Sequence, residues 1–175
     1  FAPTRWAAAY WREQTKAGKE ADGRIINTTA VSGIYGNPGQ TNYGAAKAGI
    51  AAFTIIASME MARYGVSVNA VAPVALTRMT EGFENPIADK MDPALVSSVV
   101  AYLCHDSCEL SGEVLSAGAG RVARVFVGMT RGYVNDSLSA EDVRDHLTEI
   151  FADTGYQVPG NSMAEMEPLA EMLGK

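Results

Sequence analysis

Residues 23–49 read GRIINTTAVSGIYGNPGQTNYGAAKAG. The segment runs from strand to loop to helix in a single pass. Arg24-Ile25-Ile26-Asn27-Thr28-Thr29 is a short β-branched run, the composition of a strand. Gly33, Gly36, Pro38 and Gly39 make the next segment a turn-rich loop. From Thr41 to about Tyr64 a long helix is predicted, with apolar residues (Phe53, Ile55, Ile56, Met59, Met61) on nearly all its sides, so burial on two faces is expected. Gly65 is placed to end it as a C′ glycine.

Outward from that segment the pattern repeats. Upstream, Thr4-Arg5-Trp6-Ala7-Ala8-Ala9-Tyr10-Trp11-Arg12-Glu13 is rich in helix formers, and Gly18 with the polar run to Gly23 closes it. Downstream, Val66 to Pro73 reads as a second, buried strand. Asp92-Pro93 is an N-cap followed by proline at the first helical position. Leu95, Val96, Val99, Val100 and Leu103 continue as an amphipathic helix. Ser111 to Leu115 leads into a third strand, closed by Gly118-Ala119-Gly120. Alternating helices and strands predict the α/β class with a parallel sheet and right-handed crossovers.

Past Val127 the texture changes. Ser139-Ala140-Glu141-Asp142 resembles a capping box with Asp at its third helical position. Val143, Leu147, Ile150 and Phe151 follow at helical spacing, with Gly155 as the stop, and Ser162 could open a last short helix. The division expected is residues 1–128 as a sheet domain and 129–175 as a helical C-terminal extension that packs on that domain or on a partner subunit.

Composition excludes several classes. The 175 residues are 47% hydrophobic and 19% charged, enough for a core without disulfide or metal staples. Fourteen basic against 20 acidic residues give a net charge of -6, which argues against nucleic acid as a partner. Cys104 and Cys108 are the only cysteines, so a reduced, intracellular (cytoplasmic) protein is expected. No run of eighteen apolar residues free of charge appears, so no membrane span is expected. The chain opens at Phe1, already helix-like, which reads as an interior start.

The chemistry sits in Tyr43-x-x-x-Lys47, which places a phenol and an ammonium one turn apart on one helix face. Tyrosine near its reference pKa of about 10 is a poor base at neutral pH. A neighbouring cation stabilises the phenolate and turns the side chain into a usable acid/base. A polar pair at the start of an apolar helix, facing the carboxyl ends of parallel strands, lies where open α/β sheets bind ligands.

The run GRIINTTAVSGIYGNPGQTNYGAAKAGIAAFT, with VSVNAVAPVALTRMT after it, resembles the catalytic half of a short-chain dehydrogenase/reductase. SGIYGNPGQTNYGAAKAG, AYLCHDSCELSG and GAGR are similar to the (3R)-hydroxyacyl-CoA dehydrogenase unit of peroxisomal multifunctional enzymes of type 2 and to bacterial relatives in lipid metabolism. The resemblance implies a Rossmann-like doubly wound parallel sheet, incomplete here, and an NAD or NADP cofactor. It implies an oxidoreductase interconverting a secondary alcohol and a ketone, on a 3-hydroxyacyl-CoA or a hydroxysteroid. Tyr43 then matches the proton donor and acceptor, and Lys47 its supporting cation and the residue that holds the nicotinamide ribose. Pro73 and Thr77 match the loop at the nicotinamide end. The resemblance also implies pairing of the first helix and the 41–64 helix across a homodimer or homotetramer axis; Trp6, Ala7, Ala8, Tyr10 and Trp11, with the all-round apolar 41–64 helix, exceed what one side of a sheet can cover, which gives a physical reason.

Two departures stand out. The family serine, thirteen positions before the tyrosine, falls on Ala30. Alanine donates no hydrogen bond, and the loss of such a donor costs on the order of 10²–10³ in rate. Thr29 and Ser32 are the candidate substitutes; in an extended strand Ser32 shares the face of Ala30 and is preferred. Second, no glycine-rich loop follows a strand and opens a helix. About a hundred residues of a doubly wound domain are therefore expected upstream of Phe1. Together these support the alternative of a truncated, catalytically impaired relative acting as an oligomerisation or binding module. Cys104-His105-Asp106-Ser107-Cys108 does not make a closed zinc site, and no metal is expected. His146 is expected at the surface, and Met59, Met61, Met163, Met166 and Met172 in packing or interfaces.

Overall fold

The computed structural model describes residues 1–80, 82 and 86–174. Contacts divide the chain into two compact units, Phe1–Val125 and Phe126–Lys175.

In the first unit, α1 (Ala2–Lys16) starts on a proline in its first turn and precedes β1 (Gly23–Thr28). A one-turn helix, α2 (Ser32–Tyr35), leads to α3 (Thr41–Met61) and a 3₁₀ turn over Ala62–Tyr64. Gly65 ends this stretch at φ +69, in the left-handed region that glycine enters without a Cβ penalty. β2 (Val66–Val74) follows, then α4 (Pro93–Cys104), capped by Asp92 Oδ1 accepting from the Ala94 amide at 2.8 Å. β3 (Val114–Gly118) and β4 (Arg121–Val125) complete a four-stranded sheet of order β1-β2-β3-β4.

β1 and β2 run parallel with Gly23 opposite Val66, and β2 and β3 run parallel with Ala70 opposite Val114. The α/β class expected from the alternation is the class observed, and the mostly parallel sheet fits the Rossmann-like fold that the resemblance implies. Its core lies on both sheet faces. Ala57, Met61, Val66 and Val68, with Trp11 and Ile25, pack α1 and α3 on one face. Val71, Val96, Val99, Leu103, Leu115 and Ala117, with Ile26, pack α4 on the other.

Three expectations need correction. β4 pairs antiparallel with β3, so the sheet is not wholly parallel. The turn is Ala119-Gly120, both at positive φ (+50 and +77), the geometry of a tight hairpin; alanine rarely adopts it, so the sequence does not read as a hairpin signal. The crossovers are not both right-handed. α3 and α4 make successive steps in one direction across the sheet but lie on opposite faces, so the two connections have opposite hands. Right-handedness holds for chains that pack straight back on the sheet. Here the chain is already on the far face where α4 begins. Finally, α3 is not buried on two faces: Thr54, Ala57, Ser58 and Met61 are buried, while Ile55, Ile56 and Met59 are exposed. With its 3₁₀ turn this helix is long and apolar enough, by length and composition, to cross a membrane; in this fold it packs against β2.

In the second unit the capping box at Ser139 forms: its hydroxyl accepts from the Asp142 amide, and Asp142 accepts from the Ser139 amide. The helix expected to run on to Gly155 breaks at His146 into α5 (Ala140–Asp145) and α6 (Leu147–Ile150). His146 is half-buried, not at the surface. Its ring stacks on Tyr133 at 3.8 Å between centroids, and its Nδ1 lies 2.8 Å from the Asp142 carbonyl. A 3₁₀ turn, Ser162–Glu165, opens α7 (Met166–Met172), with Asn161 capping two amides.

Candidate active site

The strand end of β1 and the first turns of α3 build the site. Tyr43 is the third residue of α3 and is 44% exposed; Asn42 Oδ1 accepts from its amide at 2.9 Å. One turn on, Lys47 is half-buried, and its ammonium lies 5.5 Å from the Tyr43 ring centroid, within reach of a cation–π contact. Lys47 Nζ donates to the Thr28 carbonyl at 2.9 Å. The sequence-predicted pair is thus brought together at the carboxyl end of the parallel strands, as the spacing requires.

The Ala30 position offers no hydroxyl, and the two candidate substitutes fare differently from expectation. Thr29 is 1% exposed and its hydroxyl is already spent, donating to the Lys47 carbonyl at 2.6 Å. Ser32 does not share a strand face with Ala30, because β1 ends at Thr28 and Ser32 is the first residue of α2. Sharing a strand face with Ala30 would need four more residues of extended chain.

In sequence Gly33 reads only as a loop former. A Cβ there would meet the Ala48 amide at 2.7 Å and the Lys47 carbonyl carbon at 2.8 Å. Its role is close approach: α2 presses on α3 beside Lys47. The signal in sequence is the first glycine after a strand, but its partner is visible only in the fold.

Pro73 lies near the carboxyl end of β2 and Thr77 in the loop beyond. Together with Ala75, Pro93, Val96, Ser97 and Val100 they line a cleft of about 380 Å³. Thr80, which sequence reading did not single out, shapes that loop: its hydroxyl accepts from the Thr77 amide at 2.7 Å and lies 3.1 Å from the Ala75 carbonyl. His105 caps α4, its Nδ1 accepting from the Ser107 amide at 3.1 Å. Cys104 is exposed and Cys108 buried.

The family model for short chain dehydrogenases matches residues 4–87, which include β1, α3, Tyr43, Lys47, Pro73 and Thr77. These residues are similar to the short-chain dehydrogenase family. A short-chain type dehydrogenase/reductase of Mycobacterium tuberculosis is 37% identical over 158 residues, covering 89% of this chain and 53% of the relative. A hydroxyacyl-CoA dehydrogenase of the same organism is 40% identical over 124 residues, covering 65% of this chain and 39% of the relative. The structure of full-length peroxisomal multifunctional enzyme type 2 from Drosophila melanogaster superposes with a TM-score of 0.83 at 32% identity, over 98% of this chain and 31% of that one. The chain therefore spans about half the length of the first of these short-chain dehydrogenases and less of the others.

The cofactor that short-chain dehydrogenases imply is a nicotinamide dinucleotide. The described residues fit its nicotinamide end. The cleft beyond β2 is mostly apolar with the Thr77 hydroxyl among its lining groups, and the Lys47 ammonium stands at the neighbouring strand end. Among the described residues no G-x-G-x-x-G turn leads from a strand into a helix N-terminus to hold the pyrophosphate; the glycines between β1 and α3 are spaced three apart.

Proposed function

We propose that this chain carries the catalytic segment of an NAD- or NADP-dependent oxidoreductase that interconverts a secondary alcohol and a ketone. The observation that carries this is the Tyr43–Lys47 pair on the first turns of α3, with the Lys47 ammonium held on the strand end. The name of the hydroxyacyl-CoA dehydrogenase relative supports a 3-hydroxyacyl-CoA as substrate class, with a hydroxysteroid as the neighbouring possibility. When bound, the nicotinamide supplies or accepts the hydride. Tyr43 exchanges a proton with the substrate oxygen through its phenolic Oη. Lys47 holds positive charge beside that phenol and would hold the ribose of the bound cofactor. Pro73 and Thr77 line the nicotinamide end, and the cleft's apolar walls exclude water from it.

The same reading takes the protein as a cytoplasmic homodimer or homotetramer without nucleic-acid or membrane attachment. Trp6 at 72% and Tyr10 at 61% exposure on α1, with exposed Ile56 on α3, supply apolar surface for a second copy. Free Cys104 and Cys108 suit a reducing compartment.

The test is turnover of a 3-hydroxyacyl-CoA with NAD or NADP by the full-length protein. Tyr43→Phe is expected to lower it by at least about a hundredfold; a loss below tenfold refutes the proton-transfer role. Ala30→Ser is expected to raise turnover. A second reading rests on Ala30 and the spent Thr29 hydroxyl: a catalytically impaired relative retained as an oligomerisation or binding module. Titrating NAD and NADP into the full-length protein calorimetrically separates them, since the module binds neither.

A further inference from the structure

We propose that Thr29 is a positioning residue that sets where the Lys47 ammonium stands, an inference that rests on the Tyr43–Lys47 reading above. Thr29 continues the sheet one rung past β1, its amide donating to the Val71 carbonyl at 2.9 Å. Its side chain turns the other way, into α3, where the buried hydroxyl donates to the Lys47 main-chain carbonyl at 2.6 Å. The residue before it, Thr28, takes the other end of the same lysine, its carbonyl accepting from Nζ at 2.9 Å. Gly33 closes the third side, where a Cβ would sit 2.8 Å from Lys47 Cβ. Lysine carries its charge on a flexible four-carbon stem. Here that stem is tied at both ends to consecutive residues of one strand terminus, and its root is pressed from the side.

The hydroxyl bond is not needed to form the helix. Lys47 lies well inside the 21-residue α3, so its carbonyl also belongs to the helical ladder. The Thr29 bond is a second bond to the same oxygen, and what it fixes is the distance from helix to strand. Remove it and α3 persists, but the lysine root is free to drift from the Thr28 carbonyl that holds the ammonium. A threonine hydroxyl used in this way is also unable to replace the hydroxyl missing at Ala30, which explains why two adjacent hydroxyl-bearing residues at the strand end leave the reacting oxygen without one.

The experiment is competitive acetylation of the lysines in the full chain by a limiting amount of an N-hydroxysuccinimide acetate ester. Peptide mass spectrometry gives the rate at Lys47 relative to the exposed Lys16 and Lys19. Thr29→Val is expected to raise that ratio about fivefold, the equivalent of one lost hydrogen bond, and Thr29→Ser to return it to within about twofold of the parent. A ratio unchanged in Thr29→Val overturns the proposal, as does a rise shared equally by Lys16 and Lys19, or a Thr29→Ser ratio as high as that of Thr29→Val. If Thr29→Val fails to fold, Thr29→Ala is judged by the same ratios. The two readings fail separately: if Tyr43→Phe leaves turnover intact while Thr29→Val still releases Lys47, the catalytic role falls and the grip of Thr29 stands.

Discussion

The two units of this chain are built on different physics. In Phe1–Val125, strands β2 and β3 are mostly buried, and Leu103, Val68 and Ala72 retain no exposed surface. In Phe126–Lys175 none of the described residues is buried. Its helices have at most seven residues, too short to stand on propensity in water. They are held by end groups instead: the Ser139–Asp142 box, the Asn161 cap, the Tyr133–His146 and Phe126–Tyr156 ring stacks, and a Thr130 hydroxyl donating to the Ile150 carbonyl at 2.8 Å. The contrast shows that helical sequence spacing means different things in the two places. In the first unit an apolar stripe has a sheet to meet; in the second, each helical turn depends on its caps.

The largest effect that tests this contrast is truncation in the core. Leu103→Ala removes a fully buried side chain between α4 and the sheet and is expected to cost about 2–5 kcal/mol by denaturant unfolding. Leu169→Ala, on α7 and 42% exposed, is expected to cost within about 0.5 kcal/mol. Equal losses for the two would erase the distinction drawn here.

Smaller and local is the effect of the cap. Ser139→Ala removes both the hydroxyl that takes the Asp142 amide and its bond to Asp142 Oδ2 at 2.5 Å. Hydrogen exchange at the Asp142 and Val143 amides is expected to speed up about fivefold, with exchange in β2 unaltered. Acceleration in β2 would mean that the units unfold as one.

The smallest effect is acid sensitivity. The Asp142 carboxyl is held below the usual carboxylate range, first by the Ser139 hydroxyl and then by the Ser139 amide. Asp145 is lowered chiefly by the Arg144 guanidinium. A carboxyl depressed in the folded state stabilises it above the ordinary value near 4, and the contribution disappears as pH falls through the folded value. The Ser139 amide resonance should therefore move on acidification below about pH 4, and Asp142→Asn should abolish that movement. A Ser139 resonance that titrates identically in the variant would show that the box does not report on Asp142.

Much of this was legible in the residues alone. The strand at Arg24–Thr29, the long helix from Thr41, its Gly65 stop, the Asp92-Pro93 start and the Ser139 box are local signals, each set by the chemistry of a few adjacent side chains. The Tyr43–Lys47 pair was legible for the same reason, since helix geometry alone puts residues four apart on one face. What the sequence could not supply was anything that depends on a partner far along the chain. β4 depends on an alanine accepting positive φ so that Leu115 can meet Arg124. The opposite hands of the two crossovers depend on which sheet face α4 reaches. Gly33 is a loop glycine until α3 is seen against it, and Thr29 a spare hydroxyl until Lys47 arrives from 18 residues away. Local chemistry determined most of the elements and which two side chains share a helix face at the start of α3. Only tertiary packing decided where the lysine is held and which hydroxyl holds it, because a hydrogen bond between distant residues exists only once burial has brought them together.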